Sequence, residues 1–302
     1  MWNYTTQNAQ KDGIGENHVT IRDSAAAAGA TPGRAAPRPF AGIAEAQLRR
    51  LDFVLTDIDD TLTTDGRLPA VAYAALERLQ RAGLRVVPIT GRPAGWCDLI
   101  ARIWPVDAVV GENGAFYFAC EPDGGGMTRV YHKPDTVRRA DRARLDALAE
   151  TILARVPRAR ISADQPFREA DLAIDFAEDG PHLSEAEIDD IVACFEADGA
   201  VAKVSSIHVN GWFGQYDKLV MSRRLLAERY GVDMDTAGDR IAFVGDSPND
   251  APMFAFFDTS IAVANFADFA HRSPHQPKWL TEQAGGQGFA AVADAILRAK
   301  GA

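Results

Sequence analysis

The sequence predicts an α/β fold, a parallel sheet core interrupted by an inserted α+β segment, on three observations. Short apolar runs (LDFVLTD, LRVVPIT, IAFVGD, TSIAVAN) alternate with amphipathic helical stretches. Three runs close in polar clusters, TDIDDT, TGR and GDSPND, at the carboxyl ends where open parallel sheets bind ligands. Between about 119 and 205 the rhythm changes to helix, strand, strand, helix, strand.

Taken in order, residues 1 to about 40 mix Gln, Asn, Gly and Pro with the run Ala25 to Ala28, lack hydrophobic periodicity and end in PGRAAPRPF. This segment is expected to be a disordered tail. LDFVLTD then predicts a strand, PAVAYAALERLQRAG a helix closed by Gly83, and LRVVPIT a second strand, together a βαβ unit. PAGWCDLIARIW predicts another helix and VDAVVGENGAF another strand. In the insert, TVRRADRARLDALAETILARV and LSEAEIDDIVACFEADG are helices, the second opened by a Ser184 and Glu187 capping box. ARISAD and DLAIDFAED read as adjacent strands and AVAKVSSIHVN as a third. The expected division is a tail over 1–40, core over 41–118, insert over 119–205 and core again over 206–302.

The chain has 302 residues, 47% of them hydrophobic, enough for a core and an accessory domain. Its formal net charge of -10 argues against a nucleic-acid partner, since a phosphate backbone rewards clustered Lys and Arg. Cys97, Cys120 and Cys194 form no C-x-x-C pair, so neither a disulfide framework nor a zinc knuckle is indicated. No apolar run approaches the roughly 20 residues of a membrane span, and the start lacks a basic stretch followed by an apolar one. The expected address is therefore cytoplasmic, with no membrane partner; the oligomeric state stays open.

The strand endings carry the chemistry. Asp57 and Asp59 lie two residues apart just past a strand, where neighbouring amides cradle a ligand's oxygens, and two such acids repel unless a cation or shared proton intervenes. Asp246 and Asp250 add hard oxygen donors of the kind Mg2+ prefers. Thr90 and Gly91 offer a hydroxyl and amides to a phosphate oxygen, and Lys218 carries a positive charge at the start of a helix. Each is ordinary loop chemistry taken singly; their order along the chain predicts phosphoryl transfer.

TDIDDTLTTDG, VVPITGR, Lys218 and GDSPND resemble, in order, the four motifs of the haloacid dehalogenase-like (HAD) phosphohydrolases, over residues 51 to about 265. The insert between the Thr motif and the Lys, with GENGA leading into it, resembles the large α+β cap of the IIB subgroup, which includes sugar-phosphate phosphatases and phosphomannomutases. That resemblance implies a Rossmann-like HAD core and a Mg2+-dependent phosphatase acting on a small phosphorylated substrate. Asp57 would be the nucleophile and Asp59 the acid and base. Asp57, Asp59, Asp246 and Asp250 would surround the metal, and Thr90, Gly91, Lys218 and Asn249 the phosphate. Asp60 departs from the pattern, since many relatives have Gly there.

In the insert and its approach, Arg92, Asn113, Arg168 and His208 are candidate substrate contacts, with Glu169, Asn210 and Trp212 as further sugar-like features whose alternative is surface charge and strand-end packing. A phosphomutase is the rival reading and needs a second phosphate-binding cluster; Arg138, Arg139, Arg142 and Arg144 read instead as a solvated helix face. A sensor without catalysis would be expected to lack Asp57 or Asp59, and both are present.

Overall fold

The computed structural model describes residues 36–121 and 124–302. The chain opens with β1 (Arg38–Pro39) and α1 (Glu45–Arg49), then β2 (Phe53–Thr56), α2 (Ala70–Arg81), β3 (Arg85–Pro88) and α3 (Ala94–Ile103). β4 (Val109–Gly111), β5 (Phe116–Cys120) and β6 (Met127–Tyr131) follow. Next come α4 (Asp135–Arg155), β7 (Arg160–Ile161), β8 (Leu172–Asp175), α5 (Glu185–Ala197), β9 (Val201–Val204) and β10 (His208–Trp212). The chain then runs through α6 (Lys218–Tyr230), β11 (Ile241–Gly245), α7 (Ala251–Phe256), β12 (Thr259–Ala262), α8 (Phe266–Phe269), β13 (Trp279–Leu280) and α9 (Gly285–Lys300).

Six strands form a parallel sheet in the order β1-β13-β12-β11-β2-β3. Its central strands are buried on both faces, which is why they read as unbroken apolar runs. Leu76, Leu79, Phe289 and Ile296 cover one face from α2 and α9. Met221, Leu225, Met253 and Phe254 cover the other from α6 and α7. α2 stops where Gly83 takes φ +85°, as its sequence predicts.

The inserted segment is a four-stranded antiparallel sheet, β7-β8-β10-β9, with α4 and α5 packed on it around Leu145, Ile152, Ile191 and Phe195. The Ser184 and Glu187 capping box opens α5, Glu187 N–H donating to Ser184 Oγ and Ser184 N–H to Glu187. β4, β5 and β6 make a third, antiparallel sheet beside β3, linked to it by the Ile89 and Val110 bridge.

Four details differ from the sequence expectation. AVAKVSSIHVN is two strands, because the Ser205 hydroxyl accepts the amides of Ile207 and His208 and turns the chain into a hairpin. β10 is consequently interior to the inserted sheet, and a boundary at 205 would cut that sheet. VDAVVGENGAF is interrupted after Gly111, where Glu112, Asn113 and Gly114 all take positive φ. The expected disordered tail lies outside the described residues up to 35, but Arg38–Pro39 already pairs with β13 and Phe40 is buried. Proline is tolerated there because an edge strand does not need every donor. Among the described residues no helix is long and apolar enough to cross a membrane.

Candidate active site

The acids gather where β2 and β11 end side by side. Asp57 N–H donates to Val244 O at 2.8 Å, which fixes the first loop against the strand leading to Asp246. Asp57, Asp246 and Asp250 are buried, and one carboxylate oxygen from each lies within 4.8 Å of the others. Lys218 Nζ, also buried, donates to Asp57 Oδ1 at 2.8 Å and Asp250 Oδ1 at 2.7 Å. Asp250 Oδ2 accepts the amides of Asp246 and Ser247, while Asp246 accepts from Thr61 Oγ1 and Asn265 Nδ2.

Three buried carboxylates against one ammonium leave an excess of negative charge. Burial first, then Asp250 and Asp59 against the pull of Lys218, pushes the Asp57 carboxyl up to about 7. Burial, then Asp57 and Asp250, holds Asp246 well above the usual carboxylate range. Burial alone would lower the Lys218 ammonium, but Asp250 and Asp57 outweigh it and hold it above its ordinary value. An all-oxygen cluster with surplus negative charge fits a hard divalent cation.

Lys218 reaches this point because Asp217 caps α6, its side chain accepting the Val220 amide at 2.9 Å. Gly114 makes that placement possible: at φ +108°, a Cβ there would stand 2.1 Å from Asp217 O. Thr90 is buried, and its hydroxyl accepts the Arg92 amide at 3.0 Å. Gly91 faces Asn113, whose Nδ2 would lie 3.1 Å from a Cβ at that position. Asn249 Nδ2 donates to Asn113 Oδ1, and Asn113 Nδ2 is buried with no hydrogen-bond partner. Asp60 takes φ +54°, a left-handed conformation that Asp tolerates better than most residues.

Asp59 stands apart from the three clustered acids. Its two oxygens accept from Arg92 Nε at 2.9 and 3.0 Å, and Arg92 Nη2 lies 2.8 Å from Oδ1. Arg92 also reaches Glu178 at 2.6 Å and Asp164 at 3.4 Å in the inserted segment, with its guanidinium carbon 4.3 Å from the centre of the Trp96 ring. His208 Nε2 lies 2.9 Å from Glu178 Oε2.

Arg168 does not present its charge to a ligand: it is enclosed by Asp164, Asp171 and Gly91 O. Trp212 is fully buried and stacked on Tyr216, and Asn210 donates to Asp171. Glu169 pairs with Arg138 at the surface. Arg138 and Arg142 are not simply solvated, since Arg138 lies over Tyr131 and Arg142 donates to Asp171 O.

Glu178, Asp164 and Glu112 were not anticipated as site residues. Glu112 accepts the amides of Ala94, Glu169, Ala170 and Asp171, tying the loop before β5 to the inserted segment. The signal for Glu178 is slight: the stretch DFAEDG is a short polar loop after a strand, with nothing to show what it faces.

The fold and these strand-end acids define a class: an α/β protein of the HAD fold with a large inserted cap. A Plasmodium vivax protein described as a HAD/COF-like hydrolase superposes with a TM-score of 0.61 at 17% identity, over 84% of this chain and 99% of that one. The sucrose-phosphatase of Synechocystis, in complex with sucrose and phosphate, gives 0.59 at 16% identity, over 83% and 98%. The C-terminal domain of C. albicans trehalose-6-phosphate phosphatase gives 0.62 at 12% identity, over 89% and 99%. At these identities the likeness is one of fold. No protein-family model and no curated protein sequence matches the chain.

Proposed function

We propose that this protein is a phosphatase that releases phosphate from a small phosphorylated metabolite, a sugar or polyol phosphate, in the cytoplasm. The observation that carries the reading is the arrangement of Asp57: a buried carboxylate at a strand end, bonded to Lys218, beside Asp246 and Asp250, with Asp59 two residues on. The fold shared with a sucrose-phosphatase and a trehalose-6-phosphate phosphatase supports it.

Asp57 attacks phosphorus, forming an oxygen–phosphorus bond as the bond to the ester oxygen breaks, and Asp59 gives its proton to the departing alcohol. Asp59 then takes a proton from water, whose oxygen attacks the acyl phosphate and returns Asp57 as a carboxylate with release of phosphate. Lys218 and the Thr90 hydroxyl hold the phosphoryl oxygens, Gly91 leaves room for the Asn113 side chain, and Asn249 orients Asn113 beside them. Asp57, Asp246 and Asp250 would hold Mg2+, which when bound shields the approach of carboxylate to phosphate. The Asp59 carboxylate, engaged by Arg92, is assigned to proton transfer and not to the metal. A mutase would need a free cationic cluster in the insert, and Arg138, Arg142 and Arg168 are already engaged.

Phosphate release from a panel of phosphomonoesters, with and without Mg2+, tests the reading beside Asp57→Asn. Release that needs both the metal and Asp57 is expected; metal-independent release untouched by Asp57→Asn would discard it.

A further inference from the structure

Proton delivery from Asp59 requires the leaving group to sit beside that carboxylate, so whatever surrounds Asp59 sorts substrates. Its immediate neighbour is Arg92, which is almost wholly buried. Its Nε donates to Asp59, Nη2 donates to Glu178, and Nη1 reaches Glu178 and Asp164. The nearest positive charge is therefore already shared among three carboxylates. Arg168, the other guanidinium in this group, is divided between Asp164 and Asp171. Four carboxylates meet two guanidiniums here.

Glu178 is held in place by more than Arg92. Asp175 at the end of β8 accepts the amides of Ala177, Glu178, Asp179 and Gly180, which shapes the loop that carries it. His208 on the neighbouring strand β10 lies 2.9 Å from Oε2, the oxygen that Arg92 Nη1 also reaches. The core side adds Asp60, beside Ser206 of the β9 to β10 turn. Among the described residues, neutral donors without a hydrogen-bond partner are buried in this part of the site, Asn113 Nδ2 next to Gly91 and Ser206 Oγ among them.

We infer that Glu178 is the selectivity residue of this site, admitting phosphate esters of neutral, hydroxylated alcohols and rejecting those whose leaving group carries a second anion. The inference rests on the phosphatase reading above and adds the class of substrate to it. A hydroxyl can donate to Glu178 and accept from a neutral amide. A carboxylate or second phosphate brought beside Glu178 meets like charge, with the nearby guanidinium already paired to Glu178 and Asp164.

The test compares glycerol 3-phosphate with 3-phosphoglycerate, matched in length and differing in a terminal hydroxymethyl or carboxylate, with p-nitrophenyl phosphate alongside. The wild-type chain with Mg2+ is expected to favour glycerol 3-phosphate by about 30-fold or more in kcat/KM. Glu178→Gln, which frees one side of Arg92, is expected to narrow that ratio at least about tenfold, chiefly through a lower KM for 3-phosphoglycerate. A wild-type preference for 3-phosphoglycerate overturns the inference without needing the variant, as does an unchanged ratio in Glu178→Gln, and either leaves the phosphatase standing. No release from any of the three esters overturns the phosphatase reading and this inference together.

Discussion

Arg92 lies between two acids, donating through Nε to Asp59 at 2.9 Å and through Nη2 to Glu178 Oε1 at 2.6 Å, so the proposed proton donor of the core and an acid of the inserted segment are bound by one guanidinium. Arg92 thus ties Asp59 to the inserted segment, and the proposed role is to orient that acid. Arg92→Lys keeps the charge but loses the fork that grips both oxygens of Asp59. A fall in kcat of about 10²-fold is expected for alkyl phosphates, in line with the usual contribution of a placed acid. The fall should be much smaller for p-nitrophenyl phosphate, whose leaving group needs no proton; equal losses on both esters would sink the assignment.

Lys218 is the only counter-charge bonded to Asp57 and Asp250 among the described residues. Removing one partner of a buried pair strands the other charge, at a cost of about 3–5 kcal/mol. Lys218→Met is expected to lower the urea midpoint accordingly and to abolish turnover. Adding Asp250→Asn to that variant should recover part of the stability but none of the activity.

Were Mg2+ held by Asp57, Asp246 and Asp250 as proposed, its binding would displace protons, because burial pushes the Asp57 carboxyl up to about 7 and holds Asp246 well above the carboxylate range. The protonated forms dominate at acid pH, so affinity rises with pH. Calorimetric titration with Mg2+ should give binding about tenfold or more tighter at pH 8 than at pH 6, with proton release that depends on the buffer. Equal affinity at the two pH values would contradict the cluster as the metal site.

Glu178 contributes stability that also grows with pH, through a depressed carboxyl and not a raised one. Burial opposes its ionisation, but His208 and Arg92 bring its carboxyl down to about 2. A depressed carboxyl stabilises the fold above its unfolded value near 4.5 and loses that contribution as pH falls toward 2. The wild-type chain is expected to lose about 1–3 kcal/mol more than Glu178→Gln between pH 4.5 and 2, read by denaturation at each pH. A parallel decline in the two proteins would mean the pair contributes nothing net.

A chain starting at Ala36 keeps the pairing of β1 with β13 and the burial of Phe40, whereas one starting at Ala41 loses both. The shorter chain is expected to be less stable by about 2–3 kcal/mol, since burying a Phe side chain alone contributes roughly that much. Matching midpoints for the two would show that the edge strand adds nothing.

Much of the core was legible in the sequence. The runs around Val54, Val86 and Phe243 announce buried parallel strands, since side chains covered on both faces leave no polar alternation. The ends of those runs pick out Asp57 and Asp246, which the structure brings together in one buried cluster with Asp250. Gly83 and the Ser184 capping box mark helix ends through backbone rules that act within four residues.

What escaped is everything decided between distant segments. Arg92 bonds Glu178 across 86 residues and Asp164 across 72, and Glu112 ties amides 57 to 59 residues ahead of it. Arg168 was a natural candidate for an anion, yet Asp164 and Asp171 lie beside it on the same loop and neutralise it. By itself the sequence determined the sheet, the helices and the acids at the strand ends, because hydrophobic period and turn chemistry are local. Only the tertiary structure decided which carboxylate meets which cation, because that depends on how the inserted sheet closes over the core, and no local pattern records that closure.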